Sequence, residues 1–186
     1  MILKTSSGLN IIIRPEMKAE YEVVNQLIYK AFSENYGTDT GSFMMEHFIE
    51  ERKKKTFIPE LSLVALTENE TVVGEVALHE TDIVTGSDRN TQLTLSQTAV
   101  LPKYRMHGIM RELVNYALNK ARELGYGAVF LGGNPAVYGR FGFEPSCNYG
   151  IYHENRKKWG DEGFMVCILT PGALDGVTGT TSYYGG

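Results

Sequence analysis

The chain has 186 residues, of which 42% are hydrophobic and 22% charged, which is typical of a soluble globule with a sizeable core. Its formal net charge of −4 argues against the broad basic surface of a nucleic-acid-binding protein. No segment approaches the ~20 apolar residues of a membrane span, and Met1–Gly8 lacks the apolar run of a signal peptide. We therefore expect one domain over residues 1–186 that is cytoplasmic and binds neither nucleic acid nor membrane.

The first elements predicted along the chain are a short strand and two helices. The apolar run Ile11–Ile13 stands before a proline and predicts a strand. The apolar spacing over Glu20–Phe32 predicts a helix with one buried face. Ser33–Ser42 is rich in Gly, Asn, Thr and Asp and predicts a loop, which a second helix over Phe43–Arg52 follows.

Strands dominate the middle of the chain. Leu61–Thr67 and Thr71–Glu80 predict two strands joined by a short hairpin turn. Thr81–Thr91 predicts a loop, and Gln92–Val100 predicts a third strand that ends before a proline.

The second half begins with the most regular helix. Gly108–Leu124 has one apolar face, basic residues near its end and a glycine just after it. Ala128–Leu131 predicts a buried strand and Pro135–Arg140 at most a short helix. Two more strands are predicted, Tyr149–His153 and Phe164–Leu169. This order of elements predicts an α+β fold, a mixed sheet with helices on its faces.

The turn that opens this helix, Arg105–Arg111, has the properties of a phosphate site. The first N–H groups of a helix have no partner within the helix, and the helix dipole places partial positive charge there. Gly108 lets the backbone approach a ligand closely, while Arg105 and Arg111 can add bidentate contacts. The alternative is that Gly108 only makes a tight turn. The turn is not a P-loop, since GxxxxGK is absent.

Several motifs together resemble the GNAT N-acetyltransferases. Arg105-x-x-Gly108-x-Met110 is similar to the acetyl-CoA turn of that family, [Gln/Arg]-x-x-Gly-x-[Gly/Ala], with a bulky methionine at the last position. The segments Leu131–Pro135 and Tyr138–Pro145 resemble a subgroup of predicted acetyltransferases that carries "LGdPxYYxRFGFxP". Val137 stands where that subgroup often has a first tyrosine. Pro171–Gly176 is similar to the same subgroup.

The resemblance implies a fold, a co-substrate and a set of binding residues. The fold is a strongly twisted, mostly antiparallel sheet, splayed between its fourth and fifth strands, with acetyl-CoA in the cleft. Backbone groups of one strand end are expected to bind the pantetheine arm and the thioester, and turn amides the pyrophosphate. The residues so implied are Thr98, Ala99, Val100, Arg105, Met106, His107, Gly108, Ile109, Met110, Arg111 and, at the sulfur end, Asn134.

Acetyl transfer to an amine needs a general base and a proton donor for the leaving thiolate. A lysine-like amine with a pKa of ~10.4 is protonated at pH 7, so its proton must be removed. Tyr138, which stays protonated at pH 7, is the candidate donor, and the alternative is a core tyrosine packed on Phe141 and Phe143. Glu75 and His79 are the candidate bases, because their even spacing puts both on one face of a strand and Glu80 on the other. Exposure at the surface is the alternative for each acid.

The acceptor is expected to be a primary amine of a small molecule or a peptide. Glu34 and Tyr36, in the predicted loop, are candidate acceptor contacts. The competing hypothesis is a module that binds acyl-CoA without turnover. A third hypothesis is a homodimer held by the C-terminal strand and Tyr183–Tyr184.

The histidines and cysteines do not predict a metal site. The four histidines show no HxxxH or HxH spacing, and the two cysteines form no CxxC pair. We interpret Cys147 and Cys167 as buried thiols of a reducing compartment.

Overall fold

The computed structural model describes residues 2–181, which contain five α-helices and ten strands. The helices are α1 (Tyr21–Tyr36), α2 (Thr38–Glu51), α3 (Ile109–Glu123), α4 (Pro135–Tyr138) and α5 (Arg156–Gly163). The strands are β1 (Ile2–Lys4), β2 (Asn10–Pro15), β3 (Phe57–Thr67), β4 (Val72–Thr85), β5 (Asp88–Val100), β6 (Ala128–Gly132), β7 (Glu144–Pro145), β8 (Ile151–His153), β9 (Phe164–Ile168) and β10 (Gly179–Thr181).

The strands form one sheet whose hydrogen-bonded order is β1-β2-β3-β4-β5-β6-β9-β7, with β10 pairing to β4 and β8. Most neighbours are antiparallel, and β5 with β6 and β10 with β8 are the parallel pairs described. The register of β5 with β6 joins Leu93 to Val129 and Thr94 to Phe130, after which β5 continues to Val100. The predicted α+β class with a mostly antiparallel sheet is confirmed.

The chain divides into two compact units. The first comprises residues 1–78 and 97–117, and therefore holds α1, α2 and the N-terminal part of α3. Its core under α1 and α2 is built from apolar side chains spaced to fall on one helix face, which is why these segments are amphipathic. The buried members of this core are Val24, Leu27, Ile28, Ala31, Phe48, Val64, Leu66, Val72, Ala77 and Ala99.

The second unit comprises residues 79–96 and 118–186. Its core gathers short strands whose side chains are apolar in nearly every position, as expected of strands covered on both faces. The buried members are Ile83, Ala128, Phe130, Ile151, Phe164, Val166 and Leu174. The rings of Phe130 and Phe164 stack with their centroids 5.7 Å apart.

Two predicted loops are wrong. Ser33–Ser42 is almost entirely helical, because α1 runs to Tyr36 and α2 begins at Thr38, with Gly37 at φ +89° between them. Glu34 and Tyr36 therefore lie on α1 and not in a loop. Thr81–Thr91 is also mostly strand, since β4 and β5 form a long hairpin with its turn at residues 86–87.

Four short elements, β1, β7, α5 and β10, were not predicted, and one thiol was misplaced. Cys167 is buried as predicted, whereas Cys147 is half-buried, and both are free. No helix within residues 2–181 is long and apolar enough to cross a membrane. Tyr183–Tyr184, on which the homodimer hypothesis depends, lies outside the described residues.

Candidate functional site

The segment from Arg105 to Arg111, here called the phosphate turn, leads from the end of β5 into α3. A short 3₁₀ helix, Pro102–Tyr104, follows the strand, and Arg105 is extended. Met106 and Gly108 both have positive φ, at +63° and +84°. Such left-handed residues let successive amides point toward one side, and the free N–H groups of α3 follow immediately. The predicted position of the turn, between a strand and a helix, is confirmed.

The side chains of the phosphate turn differ in exposure. Met106 is 98% exposed, so its side chain points into solvent and leaves the backbone beneath it accessible. Ile109, the first residue of α3, is buried, and Met110 is half-buried. The bulky methionine at the last position of the motif, Met110, is thus partly withdrawn from the surface. His107 and Arg111 are exposed.

The guanidinium of Arg105 is engaged within the protein. Nη1 donates to Oδ1 of Asn35 at 3.0 Å, and Nη2 donates to the carbonyl of Ala31 at 2.9 Å. Glu34 lies 3.8 Å from the same group. Both acceptors lie in the last two turns of α1, so the arginine ties the turn to the end of that helix. Arg105 therefore couples the phosphate turn to α1, and its contact with phosphate stays a prediction.

The N-terminal turn, Thr5–Gly8, also touches the phosphate turn, and sequence reasoning missed it. Oγ of Ser7 lies 3.0 Å from Nδ1 of His107 and donates to the His107 carbonyl at 3.2 Å. A Cβ added at Gly108 would lie 2.5 Å from Oγ of Ser6. No periodicity or motif connects residues about 100 positions apart, so the sequence offered no indication of these contacts.

The end of β5 carries the residues predicted to face the thioester. Thr98 donates its hydroxyl to the carbonyl of Glu75 at 3.1 Å, which ties β5 to β4. Ala99 is buried in the core under α1 and α2, and Val100 is half-buried. The amide of Leu101 bonds to the carbonyl of Val73 at 2.9 Å, so the strand end is held in place up to the 3₁₀ helix.

Glu75, the first candidate base, is buried and not at the surface. It is 1% exposed, and neither carboxyl oxygen makes a hydrogen bond of normal geometry among the described residues. Burial, chiefly, and the negative charges of Glu16 and Glu51 raise the pKa of Glu75 well above its ordinary value. The positive charge of Arg52 and the amide of Gln97 oppose that rise. Surface exposure, the alternative stated for this acid, is therefore wrong for Glu75.

A buried polar group, here called the Arg52 cluster (Glu16, Asn25, Arg52 and Ser62), lies in the same unit as Glu75. Arg52 makes a bidentate pair with Glu16 at 2.9 and 2.8 Å, and donates to Asn25 at 2.6 Å. Ser62 donates to Glu16 at 2.6 Å. The guanidinium lies 4.3 Å from the Tyr21 ring centroid and 4.1 Å from that of Phe48. The buried charges of Arg52 and Glu16 are thus paired and hydrogen-bonded, as buried charges must be.

His79, the second candidate base, and its neighbour Glu80 lie in the second unit. His79 is 6% exposed, so it is also buried. Glu80 is half-buried and accepts a hydrogen bond from the hydroxyl of Tyr126 at 2.7 Å. All of Val72–His79 is buried, because both faces of this stretch are covered. Alternation along β4 therefore does not separate a site face from a solvent face.

The Gly132–Phe143 segment of the second unit combines a cap with an aromatic group. The Asn134 side chain accepts from the amide of Ala136 at 2.9 Å and so caps α4. The Tyr138 ring packs against Phe143, with centroids 6.0 Å apart and planes at 73°, and so close to Gly133 that a Cβ there would lie 2.7 Å away. Tyr138 therefore makes the core contacts that were the alternative, while remaining half-buried.

The phosphate turn, the end of β5 and Glu75 belong to the first unit, and Asn134 and Tyr138 belong to the second. Within residues 2–181 there is no group of three or more His, Cys, Asp or Glu side chains able to hold a metal ion.

Comparison with known proteins gives three findings. The model of the acetyltransferase (GNAT) domain matches residues 12–146. An uncharacterized N-acetyltransferase, YhbS of Escherichia coli K12, is 39% identical over 126 residues, which are 67% of this chain and 72% of that protein. The crystal structure of E. coli YhbS in complex with CoA superposes with a TM-score of 0.81 at 29% identity, covering 95% of this chain and 91% of the other.

A second solved structure supports the fold alone. A GNAT family acetyltransferase from Brucella melitensis, in complex with acetyl-CoA, has a TM-score of 0.73 at 24% identity over 94% of this chain and 96% of its own. The fold is therefore similar along nearly the full length of the described chain.

Proposed function

Since this chain belongs to the GNAT acetyltransferases and is an acetyl-CoA-dependent N-acetyltransferase, we propose that its acceptor is a primary amine of a small molecule or a peptide. The amine nitrogen attacks the thioester carbonyl carbon directly. The new C–N bond forms as the C–S bond breaks, the amine proton passes to a base, and the thiolate takes up a proton. We also propose that the chain belongs to the subgroup with the "LGdPxYYxRFGFxP" segment, which Leu131–Pro145 resembles.

The observation that carries the cofactor assignment is the backbone of the phosphate turn. Left-handed Met106 and Gly108 lead directly into the first free amides of α3. Each charge-assisted N–H bond to a phosphate contributes about 1.5–3 kcal/mol. Amides from Met106 to Arg111 hold the diphosphate, and Thr98–Val100 bind the pantetheine arm and the thioester. Asn134 and Tyr138 face the sulfur end of the cofactor.

The proton transfers are assigned to Tyr138 and to Glu75 or His79. A tyrosine hydroxyl is protonated at neutral pH and can donate to a thiolate. Glu75 supports a base role because its raised pKa makes its ionised form a stronger proton acceptor than an ordinary carboxylate. Substitution by glutamine separates the two bases. We expect the variant at the true base to lose about 10²–10⁴ in kcat, and the other variant to keep most of it.

Titration calorimetry with acetyl-CoA tests the assignment. We expect a saturable isotherm, and no binding at millimolar cofactor would overturn it. The matched variants are Tyr138→Phe, which should bind acetyl-CoA normally but turn over more slowly, and Tyr126→Phe, which should leave both binding and turnover unchanged.

One observation favours a second function, that of a module that senses acyl-CoA without turnover. Burial raises the pKa of Glu75 and so favours its neutral form, and a neutral carboxyl cannot accept the amine proton. A panel of primary amines decides between the two functions. Release of free CoA thiol that Tyr138→Phe slows would rule out the sensor, whereas binding without any release would support it.

Three broader assignments complete the proposal. Residues 1–186 act as one functional domain, since the matched family model spans parts of both compact units. The two free thiols support a reducing, cytoplasmic location. A homodimer remains a proposal, and light scattering before and after deletion of residues 182–186 tests it.

A further inference from the structure

The N-terminal turn is itself a fixed structure. The amide of Gly8 bonds to the carbonyl of Thr5, and the amide of Thr5 to the carbonyl of Leu9, both at 2.9 Å. Thr5 is buried, and its hydroxyl lies 3.2 Å from both the amide of Leu9 and Oγ of Ser7. The pairing of β1 with β2 closes this hairpin. Ser7 is therefore presented from a rigid base.

The Ser7 hydroxyl makes two contacts with one residue of the phosphate turn. A hydroxyl has a single proton, so if Ser7 donates to the His107 carbonyl at 3.2 Å, its oxygen accepts from Nδ1 of the ring at 3.0 Å. These bonds hold both the backbone and the side chain of His107. They also select the imidazole tautomer with the proton on Nδ1, which leaves Nε2 on the other side of the ring.

Ser6 acts on the next residue. The space that a side chain at position 108 would need is occupied by Ser6, with Oγ 2.5 Å and the amide nitrogen 3.3 Å from an added Cβ. A side chain at this position would therefore displace the Ser6 hydroxyl and would also be strained by the φ of +84°.

We infer that the N-terminal turn positions the phosphate turn, and that Ser7 is a positioning residue for the diphosphate of CoA. A left-handed methionine is unfavourable on its own and persists only where its surroundings support it. Ser7 holds the His107 ring and the peptide group that joins His107 to Gly108, directly between left-handed Met106 and Gly108. This inference rests on the proposed diphosphate site.

The test compares ligands that contain the diphosphate of CoA with one that lacks it. Competition against a fluorescent CoA gives dissociation constants for CoA, ADP and pantetheine. We expect Ser7→Ala to weaken CoA and ADP by the same factor, about three- to tenfold, because one or two exposed hydrogen bonds are lost. Pantetheine, which has no diphosphate, should bind as it does to the unsubstituted protein. Ser7→Thr keeps the hydroxyl and should restore both affinities.

A matched control and a double substitution separate positioning from general destabilisation. Ser87→Ala removes another exposed serine from a hairpin turn and should change no affinity. Ser7→Ala combined with His107→Ala should lose less affinity than the two single losses added together, since His107→Ala already removes the ring contact of Ser7 and leaves only its bond to the backbone carbonyl. Equal weakening of CoA and pantetheine, or unchanged CoA binding, would overturn the inference. Failure of the unsubstituted protein to bind CoA would instead overturn the proposed function.

Discussion

The phosphate turn and the Arg52 cluster lie in the same unit, but different interactions maintain their conformations. The phosphate turn is partly exposed, and its conformation depends on backbone angles and on glycine at position 108. The Arg52 cluster is buried, and it depends on side-chain charges that satisfy one another. Substitutions in the turn should therefore act mainly on ligand affinity, whereas substitutions in the cluster should act mainly on the stability of the fold.

The largest effect is expected for Arg52→Ala. The Arg52 and Glu16 side chains are 5% and 2% exposed, so the substitution leaves a buried carboxylate without its partner. We expect the free energy of unfolding to fall by about 3–5 kcal/mol, measured by urea denaturation. The neighbouring Lys53→Ala removes a pair with Glu50 whose side chains are 63% and 64% exposed, and should change stability by at most about 1 kcal/mol. Similar losses in both variants would contradict the comparison.

Gly108→Ala should affect both stability and affinity. Alanine in the left-handed region costs about 1–2 kcal/mol, and its Cβ would also meet Ser6. Chemical denaturation and CoA titration together should show a modest loss of stability and a larger loss of binding. Gly139→Ala is the matched control, because Gly139 is in the helical region and nothing lies within 4 Å of an added Cβ. A Gly108→Ala protein with unchanged CoA affinity would argue against the diphosphate site.

Glu75→Gln should change how the stability of the protein depends on pH. The folded-state pKa of Glu75 lies well above its ordinary value of 4.5, so the folded state binds the proton more tightly than the unfolded state. The stabilisation by this group is complete below about pH 4.5 and is lost as pH rises through the raised pKa. Urea midpoints over a pH series should therefore fall in the unsubstituted protein and be flatter in the variant. Parallel curves for the two proteins would show that Glu75 titrates normally.

The smallest effect is expected for Arg105→Lys, which should lower both the stability of the fold and the affinity for CoA. Lysine keeps the charge but cannot donate to Ala31 and Asn35 in the same forked geometry. We expect a loss of about 0.5–1.5 kcal/mol in unfolding free energy. A CoA affinity reduced by severalfold would accompany it. Arg89→Lys, at an arginine with a 66% exposed side chain, should change neither quantity.

Sequence reasoning succeeded where a single segment determines its own structure. Gly108–Leu124 was predicted almost to the residue, because fifteen residues with one apolar face and a terminal glycine specify a helix. It failed at Ser33–Ser42, where the composition is typical of a loop but packing of α2 against α1 stabilises helix. The missed β1, β7 and β10 have two or three residues each, too few for any periodicity.

The candidate site divides in the same way. The position of the phosphate turn followed from local sequence. The partners of Arg105 on α1 and of His107 on the N-terminal turn lie some 70 and 100 residues away, and only the fold brings them together. The burial of Glu75 was missed because both faces of β4 are covered there, so alternation does not report exposure.

The exposed side chain of Met106 gives the phosphate turn a chemical reactivity of its own. A thioether that is 98% exposed is an easy target for oxidation to the sulfoxide, and Met17, at 52%, is a less exposed comparison in the same chain. Brief peroxide treatment followed by mass spectrometry would therefore label residue 106 early. A ligand seated on the adjacent amides would slow that labelling, so oxidative damage and cofactor occupancy would compete at one loop.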